Sequence, residues 1–344
     1  MPQSGPTIRA TILARFDAFI AGQKAKVRPL LSQVGLRPSD LGDPDRLLSL
    51  NAVATLLDAA ARRCNDPCLG LHYAEFLPAG STGILGHLVL SAPTVRDAIQ
   101  DVERYVGLFM APIAVSFSEK GGRGVLSWQY PETFSAPKLQ LSGLMVGALI
   151  MRLQKVAGPE VRPLSVELDH RPFECADEVR RILGSRVRFD RPENLLAFDS
   201  NTLNRRAAGA QPGLHSLMRQ LGDRVLEEQR QEADIVELTR RQIAARLKSG
   251  AGGLDTIAGA FGLSARALQG RLKRGGTTFE TLVGATRQQL AESYLRDTGL
   301  SMTEIAMLLG FSELSAFTRA SQRWFSMSPS AYRVAARRQR PMRG

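Results

Sequence analysis

A chain of 344 residues is too long for one compact core and points to two or three domains. Hydrophobic residues at 44% and charged residues at 23% exclude a disordered or fibrous chain. The net charge of +12 is unevenly placed: from Glu237 onward 17 Lys and Arg face 7 Asp and Glu, a net of +10, while the first 236 residues hold 28 against 26, a net of +2. A near-neutral region therefore precedes a basic one that suits a polyanion, either nucleic acid or an anionic membrane surface.

Residues 7–74 read as helical. Ile12, Phe16, Phe19 and Ile20 recur at helical spacing, as do Leu47, Leu50, Val53, Leu56 and Leu57. A loop with two prolines and a glycine separates the two stripes over 36–45. A helix is expected over 94–109, opened by Thr94 with Asp97 three residues on. A hairpin follows, with arms at 113–118 and 125–130 around the Gly-Gly turn of 120–123. Then come a mostly buried helix over 139–155, strands at 166–168, 187–189 and 195–198, and a helix over 176–183. A helix over 214–230 reads as a linker, a dimerisation element or an ordinary packing helix.

Cys64, Cys68 and Cys175 are too few and sparse for a disulfide framework, so a reducing cytoplasm is expected. The histidines His72, His87, His170 and His215 are scattered, and neither a metal site nor a catalytic site is expected. No phosphate-binding loop is found, no cofactor is expected, and no signal segment opens the chain. The longest apolar stretch, 141–151, is about half the length that crosses a bilayer, so no membrane partner is expected.

From 237 onward the pattern is helical and repeats. Leu254, Ile257, Ala258, Phe261, Gly262, Leu263 and Ser264 return as Met302, Ile305, Ala306, Leu309, Gly310, Phe311 and Ser312, at a constant offset of 48. Each copy gives one apolar helix face, a Gly that permits a left-handed helix end, an apolar corner residue and a Ser to cap the next helix. That is a helix-turn-helix. Ser301 with Glu304 reads as a capping box, and Thr277 with Glu280 as another that opens a helix over about 278–297. A helix of about 20 residues spans roughly 30 Å, close to one DNA turn of about 34 Å.

The second helix of each copy carries the expected readout. Ser264, Arg266, Gln269, Arg271 and Lys273 serve the first; Ser312, Glu313, Ser315, Arg319, Gln322 and Arg323 serve the second. Arg suits guanine, Gln suits adenine, and Ser suits a base or a phosphate. Double-stranded DNA at a promoter or operator is the expected partner. A helical repeat that packs or binds protein is the alternative reading.

The stretches "LSARALQGRLKRGGTTFETLV" and "SMTEIAMLLGFSELSAFTRASQRWFSMSPSAYR" closely resemble the AraC/XylS family of transcription regulators. The segments "DPCLGLHYAE", "STGILGHLVLSAPTVRDAIQDVERY" and "GSRVRFDRPENLLAFDSNTLNR" resemble the arabinose-binding-like N-terminal module of a subgroup of that family. The resemblance implies an α+β effector-sensing domain followed by an all-α DNA-binding domain, with two helix-turn-helix units joined by a long helix. It divides the chain into a regulatory domain at 1–206, a linker helix at 207–236, a DNA-binding domain at 237–338 with units near 254–273 and 302–324, and a basic tail at 339–344. It implies a sequence-specific regulator controlled by a small-molecule effector of amino-acid-like or lipid-like class, with RNA polymerase as a partner if it activates, and a homodimer as one arrangement. A regulator that answers to another protein is the alternative. Residues of the segment "GILGHLVL" at 83–90, His87 among them, with Tyr105 and Trp128, are the expected lining of an effector pocket.

The chain departs from the family at two places. Gly270 stands where a long polar residue is usual, so the first unit is expected to read fewer bases. Ser321 stands where Phe is usual, so the second unit is expected to pack less firmly and to gain stability on restoring Phe.

Overall fold

The computed structural model describes residues 5–338 except 42, 44–45, 185, 209 and 248–252; the side chains of 337 and 338 are also outside the description. The expected basic tail at 339–344, with Arg340 and Arg343, therefore lies outside the described residues, as do the side chains of Arg337 and Arg338. The chain forms two compact units that divide between Leu226 and Glu227.

The first unit opens with a strand, not a helix. β1 (Thr7–Arg9) lies between β2 (Leu47–Ser49) and β3 (Met110–Ala111), antiparallel to both. Two of these strands replace part of the helical reading of 7–74. Strands of three residues carry too little alternation to be seen in sequence. Between them lie α1 (Phe16–Gly22) and α2 (Val27–Gln33), and after them α3 (Leu50–Cys64) and α4 (Leu69–Phe76). The hydroxyl of Ser49 accepts the Ala52 amide and starts α3, which ends at Asn65 in the left-handed conformation. Next come α5 (Ile84–Ser91) and α6 (Val95–Tyr105), the latter capped by Thr94.

β4 (Ala114–Lys120) and β5 (Arg123–Gln129) form the hairpin, with Gly121 and Gly122 at φ 59° and 76° in its turn. After them come α7 (Leu139–Ala157), β6 (Ser165–Glu167), α8 (Ala176–Leu183), β7 (Val187–Arg188) and β8 (Asn194–Asp199). The sheet order is β4-β5-β8-β6-β7, with only β6 and β7 parallel. α4 packs so closely on α7 that a Cβ at Gly70 would sit 2.0 Å from the Gln140 carbonyl. The same contact is pinned by the Gly70 amide, which donates to Gln140 Oε1 at 2.8 Å.

Cys68 and Cys175 are joined as a disulfide, with Cα atoms 6.2 Å apart across 107 residues of sequence. This corrects the expectation drawn from cysteine count, because the packing of α4 beside α8 brings together two residues that sequence spacing keeps apart. Cys64 is free.

After the short α9 (Ser200–Leu203), α10 runs unbroken from Pro212 to Arg246, 35 residues and about 50 Å. The expected linker helix at 207–236 thus starts five residues later and runs ten residues further than expected. Pro212 sits at its first position, where a missing amide costs nothing. The division between the two units falls inside it.

In the second unit, Ile235 and Ile243 of α10, with Leu247, form a core with α11 (Leu254–Ala260), α12 (Ala265–Arg274) and the first half of α13 (Phe279–Asp297). The second half of α13 joins α14 (Met302–Leu308), α15 (Leu314–Phe325) and α16 (Pro329–Arg338) around a second core. α13 alone supplies both, with Leu282 in the first and Ala291 and Leu295 in the second.

Candidate functional site

The sequence repeat reappears bond by bond in the backbone. In the first copy the Leu263 amide donates to Ala258 O at 2.9 Å and the Gly262 amide to Gly259 O at 3.0 Å. In the second, Phe311 donates to Ala306 O at 2.9 Å and Gly310 to Met307 O at 3.0 Å. Both pairs close the helix end in the same way, with Gly262 at φ 65° and Gly310 at φ 71°. Gly310 has a second reason to be glycine: a Cβ there would lie 2.5 Å from Leu247 O.

Past the turn the offset grows from 48 to 49. α12 starts from Ser264, whose hydroxyl accepts the Ala267 amide at 3.2 Å, whereas α15 starts from Glu313, which makes no side-chain cap. The expectation that Ser312 caps the second recognition helix is corrected, because the second turn is one residue longer. The helix after the first recognition helix is capped by Thr278, which accepts the Thr281 amide, so Thr277 and Glu280 do not form a capping box. Ser301 and Glu304 do.

With the offset of 49, Leu268 and Leu272 correspond to Phe317 and Ser321, all four fully buried. Gly270 then corresponds to Arg319. On the outer faces, Arg266, Gln269, Arg271, Lys273, Arg319, Gln322 and Arg323 are exposed, and their side chains have no ion pair or hydrogen bond among the described residues. Ser312, Glu313 and Ser315 are exposed too, and the Ser315 hydroxyl donates to Glu313 Oε2 at 2.9 Å, so these two hold each other.

Other described cations of the unit have partners. Arg240 and Arg241 pair with Glu237, Arg274 with Glu232 at 2.6 Å, and Arg296 with Glu292. Two helices from equivalent positions thus carry uncompensated positive charge, spaced along a rod of 19 residues, about 28 Å.

Sequence reasoning missed the residue that fixes this rod to the second turn. Arg287 of α13 donates through Nε to Leu309 O at 2.9 Å and through Nη2 to Gly310 O at 3.2 Å, with its guanidinium 4.8 Å from the Phe311 ring centre. It satisfies carbonyls that the end of α14 leaves open. Burial pulls its pKa below the ordinary arginine value. An arginine on the inner face of an otherwise apolar stripe is the signal that could have found it.

Ser321 is not a gap. Its hydroxyl donates to Met327 O at 3.0 Å, and aromatic rings fill the core around it, Phe311 against Phe317 at 5.8 Å and Phe325 against Tyr332 at 4.2 Å. This bond counts against the expectation of loose packing, which melting of Ser321→Phe decides. At Gly270, an added Cβ would meet only Arg274 Nη1, at 3.8 Å. Gly270→Ala is therefore expected to stabilise the second unit by about 1 kcal/mol, by helix propensity alone. Thermal melts of the two chains check this, and an unchanged or lower transition would refute it.

The first unit holds a cavity of about 90 Å³ between α5, α6, α7 and the sheet, lined by apolar side chains such as Leu85, Val89, Met145 and Leu149. Trp128 lines it; His87 and Tyr105 do not. Helical spacing turns Leu85 and Val89 of α5 inward, so His87 faces solvent, its ring 3.2 Å from where a Cβ on Gly80 would be. Tyr105 is fully buried elsewhere, its hydroxyl donating to Asp223 Oδ1 of α10 at 2.6 Å.

One turn away, the buried Asp101 carboxylate meets His215 Nε2 at 2.6 Å and Arg219 Nε at 3.4 Å. Burial pushes the Asp101 carboxyl above the usual carboxylate range, and the hydrogen bond from His215 partly offsets this. Sequence reasoning also missed Arg152, the one charged residue among the described cavity lining.

Among the described residues no cluster of three His, Cys, Asp or Glu is placed to hold a metal, and no helix is long and apolar enough to cross a membrane. The family model for the N-terminal arabinose-binding domain of AraC transcription regulators matches residues 25–207, and that for a helix-turn-helix domain matches 257–335. The chain is 27% identical over 338 residues to the HTH-type transcriptional regulator VirS of Mycobacterium tuberculosis, covering 96% of this chain and 97% of that one. It is 28% identical to the ornithine utilization regulator of Pseudomonas aeruginosa, over 89% of this chain and 90% of that one. A crystal structure of the transcriptional regulator CdpR from Pseudomonas aeruginosa aligns over 90% of this chain and 96% of its own, with 18% identity and a TM-score of 0.42. The relatives are transcriptional regulators and not enzymes. The chain belongs to the AraC family of DNA-binding transcription regulators, joining an arabinose-binding-type N-terminal domain to a helical domain with two helix-turn-helix units.

Proposed function

We propose that α12 and α15 enter two successive major grooves on one face of an asymmetric duplex site, with α13 as the spacer between them. What supports this is the set of exposed, unpaired cations on two helices that leave equivalent turns. The first helix holds mainly phosphates, since Gly270 stands where the second offers Arg319. Arg266→Ala and Arg319→Ala in the full chain are each expected to weaken binding to a DNA site selected from genomic fragments by about 1–2 kcal/mol. Where the arginine neutralises a phosphate, its removal also flattens the dependence of log affinity on log salt by about 0.9. Titrations at several salt concentrations check both effects; two variants that bind as the parent does would refute the assignment.

The cavity of the first unit is proposed as the effector site. Its apolar lining favours the lipid-like over the amino-acid-like class: an amino acid brings at least one ammonium group beside its carboxylate, and no carboxylate among the described lining residues is there to receive it. α6, which lines the cavity through Val102, also holds α10 through Asp101 and Tyr105. Occupancy is proposed to shift the population of states that differ in how α6 grips that helix. The proposed compartment is the cytoplasm, where its DNA lies; the Cys68–Cys175 disulfide removes the cysteine argument for it. RNA polymerase is the partner if the protein activates, and the exposed Leu214, Leu217 and Leu221 of α10 are the surface proposed for a homodimer.

A further inference from the structure

We infer that the effector is a compact apolar monocarboxylate, held by an ion pair to Arg152. The inference rests on the proposal that the cavity is the effector site, and it names the chemistry of what binds there.

α7 presents Met145, Ala148, Leu149 and Arg152 to the cavity at i, i+3, i+4 and i+7, so the guanidinium stands on the apolar face of the helix. Arg152 is 8% exposed. Its Nε donates to Ala79 O at 2.7 Å, while Nη2 is buried with no partner among the described residues. Among the described residues no carboxylate lines the cavity; Thr82, Trp128 and Tyr130 are the other described side chains there with a polar atom. Burial without a counterion pulls the guanidinium pKa down to about 10, and it remains a cation at neutral pH.

A buried cation that lacks its anion is the complement of a ligand that brings one. A carboxylate accepts donation from the guanidinium edge, and the apolar walls receive a hydrocarbon tail. The volume limits that tail. A cavity of about 150 Å³ lodges benzene, so about 90 Å³ admits a chain of roughly four carbons without rearrangement. Because Nε of Arg152 also fastens the 77–83 loop that leads into α5, loading of the guanidinium bears on the element whose Leu85 and Val89 form another wall.

The test is calorimetric titration and thermal melting of the full chain with straight and branched acids of three to eight carbons, each beside its primary amide. The acid is expected to bind at least about tenfold more tightly than the amide, the usual worth of a hydrogen bond to a charged group. Arg152→Gln keeps a donor for Ala79 and removes the charge, and is expected to bring the two affinities within a factor of about two. Equal binding of acid and amide to the parent protein, or an acid preference that survives Arg152→Gln, overturns the inference and leaves the cavity as a site for neutral ligands. Binding of neither class overturns both the inference and the effector-site proposal. The acid-against-amide comparison in the parent protein needs no variant to fold.

Discussion

Ser321→Phe is expected to lower the stability of the second helix-turn-helix by about 3 kcal/mol, although family resemblance favours Phe at this position. Ser321 is fully buried on α15, one turn after Phe317, and its hydroxyl donates to Met327 O. A phenyl ring there would have to enter a core in which Phe317, Phe311, Trp324, Phe325 and Tyr332 already stack in successive pairs. Overpacking costs about 1–3 kcal/mol, and the Met327 carbonyl left without its donor adds about 1 kcal/mol or more. The same bond steadies the left-handed Ser326 that ends α15, so the effect should reach α16. Ser321→Ala separates the two terms: it removes the bond without adding bulk and should cost about 1 kcal/mol. Denaturant unfolding followed by Trp324 fluorescence reads both, and a Phe variant more stable than the parent would show that the ring has space.

His215→Ala should destabilise the first unit by about 3 kcal/mol at neutral pH. The variant leaves the Asp101 carboxylate, fully buried, with only Arg219 at 3.4 Å. The sign of the pH dependence follows from the raised Asp101 pKa. A carboxyl whose folded pKa lies above its unfolded value contributes its full share below the unfolded pKa and loses it as pH rises through the folded one. Removing His215 takes away what pulls that pKa back down, so the deficit is largest above the raised pKa and narrows as acid protonates Asp101 in both chains. Melting curves across the acidic range check this. A deficit independent of pH would mean that His215 acts through packing and not through the carboxylate. Because Asp101 shares α6 with Val102 and the cavity, the same variant should weaken any effect of ligand on DNA binding.

The helix-turn-helix pair was legible because its turn demands glycine: Gly262 and Gly310 both need a positive φ, so the motif repeats in letters as well as in space. The extra residue in the second turn was not legible, since Ser312 is as good a cap by type as Ser264 and only geometry shows that Glu313 takes the place. β1 and β2 were invisible because three residues cannot express a period of two. That α10 continues unbroken past 236 was not legible, because its charged outer face, with Glu237 beside Arg240 and Arg241, hides a sparse inner stripe of Ile235 and Ile243. Trp128 was named for the lining without a local signal that singles it out, while Arg152 reads as the end of an apolar stretch until α7 is seen to turn it inward. The union of Cys68 and Cys175 depends on how α4 meets α8, which nothing local encodes.

Methylation-interference footprinting of the full chain on a selected duplex site tests the placement of α12 and α15 most directly. The expected result is two major-groove patches on one face, about 10 base pairs apart. Arg266→Ala should fade one patch and Arg319→Ala the other. A single patch, or two that respond together to either substitution, would contradict the placement of the two helices in separate grooves.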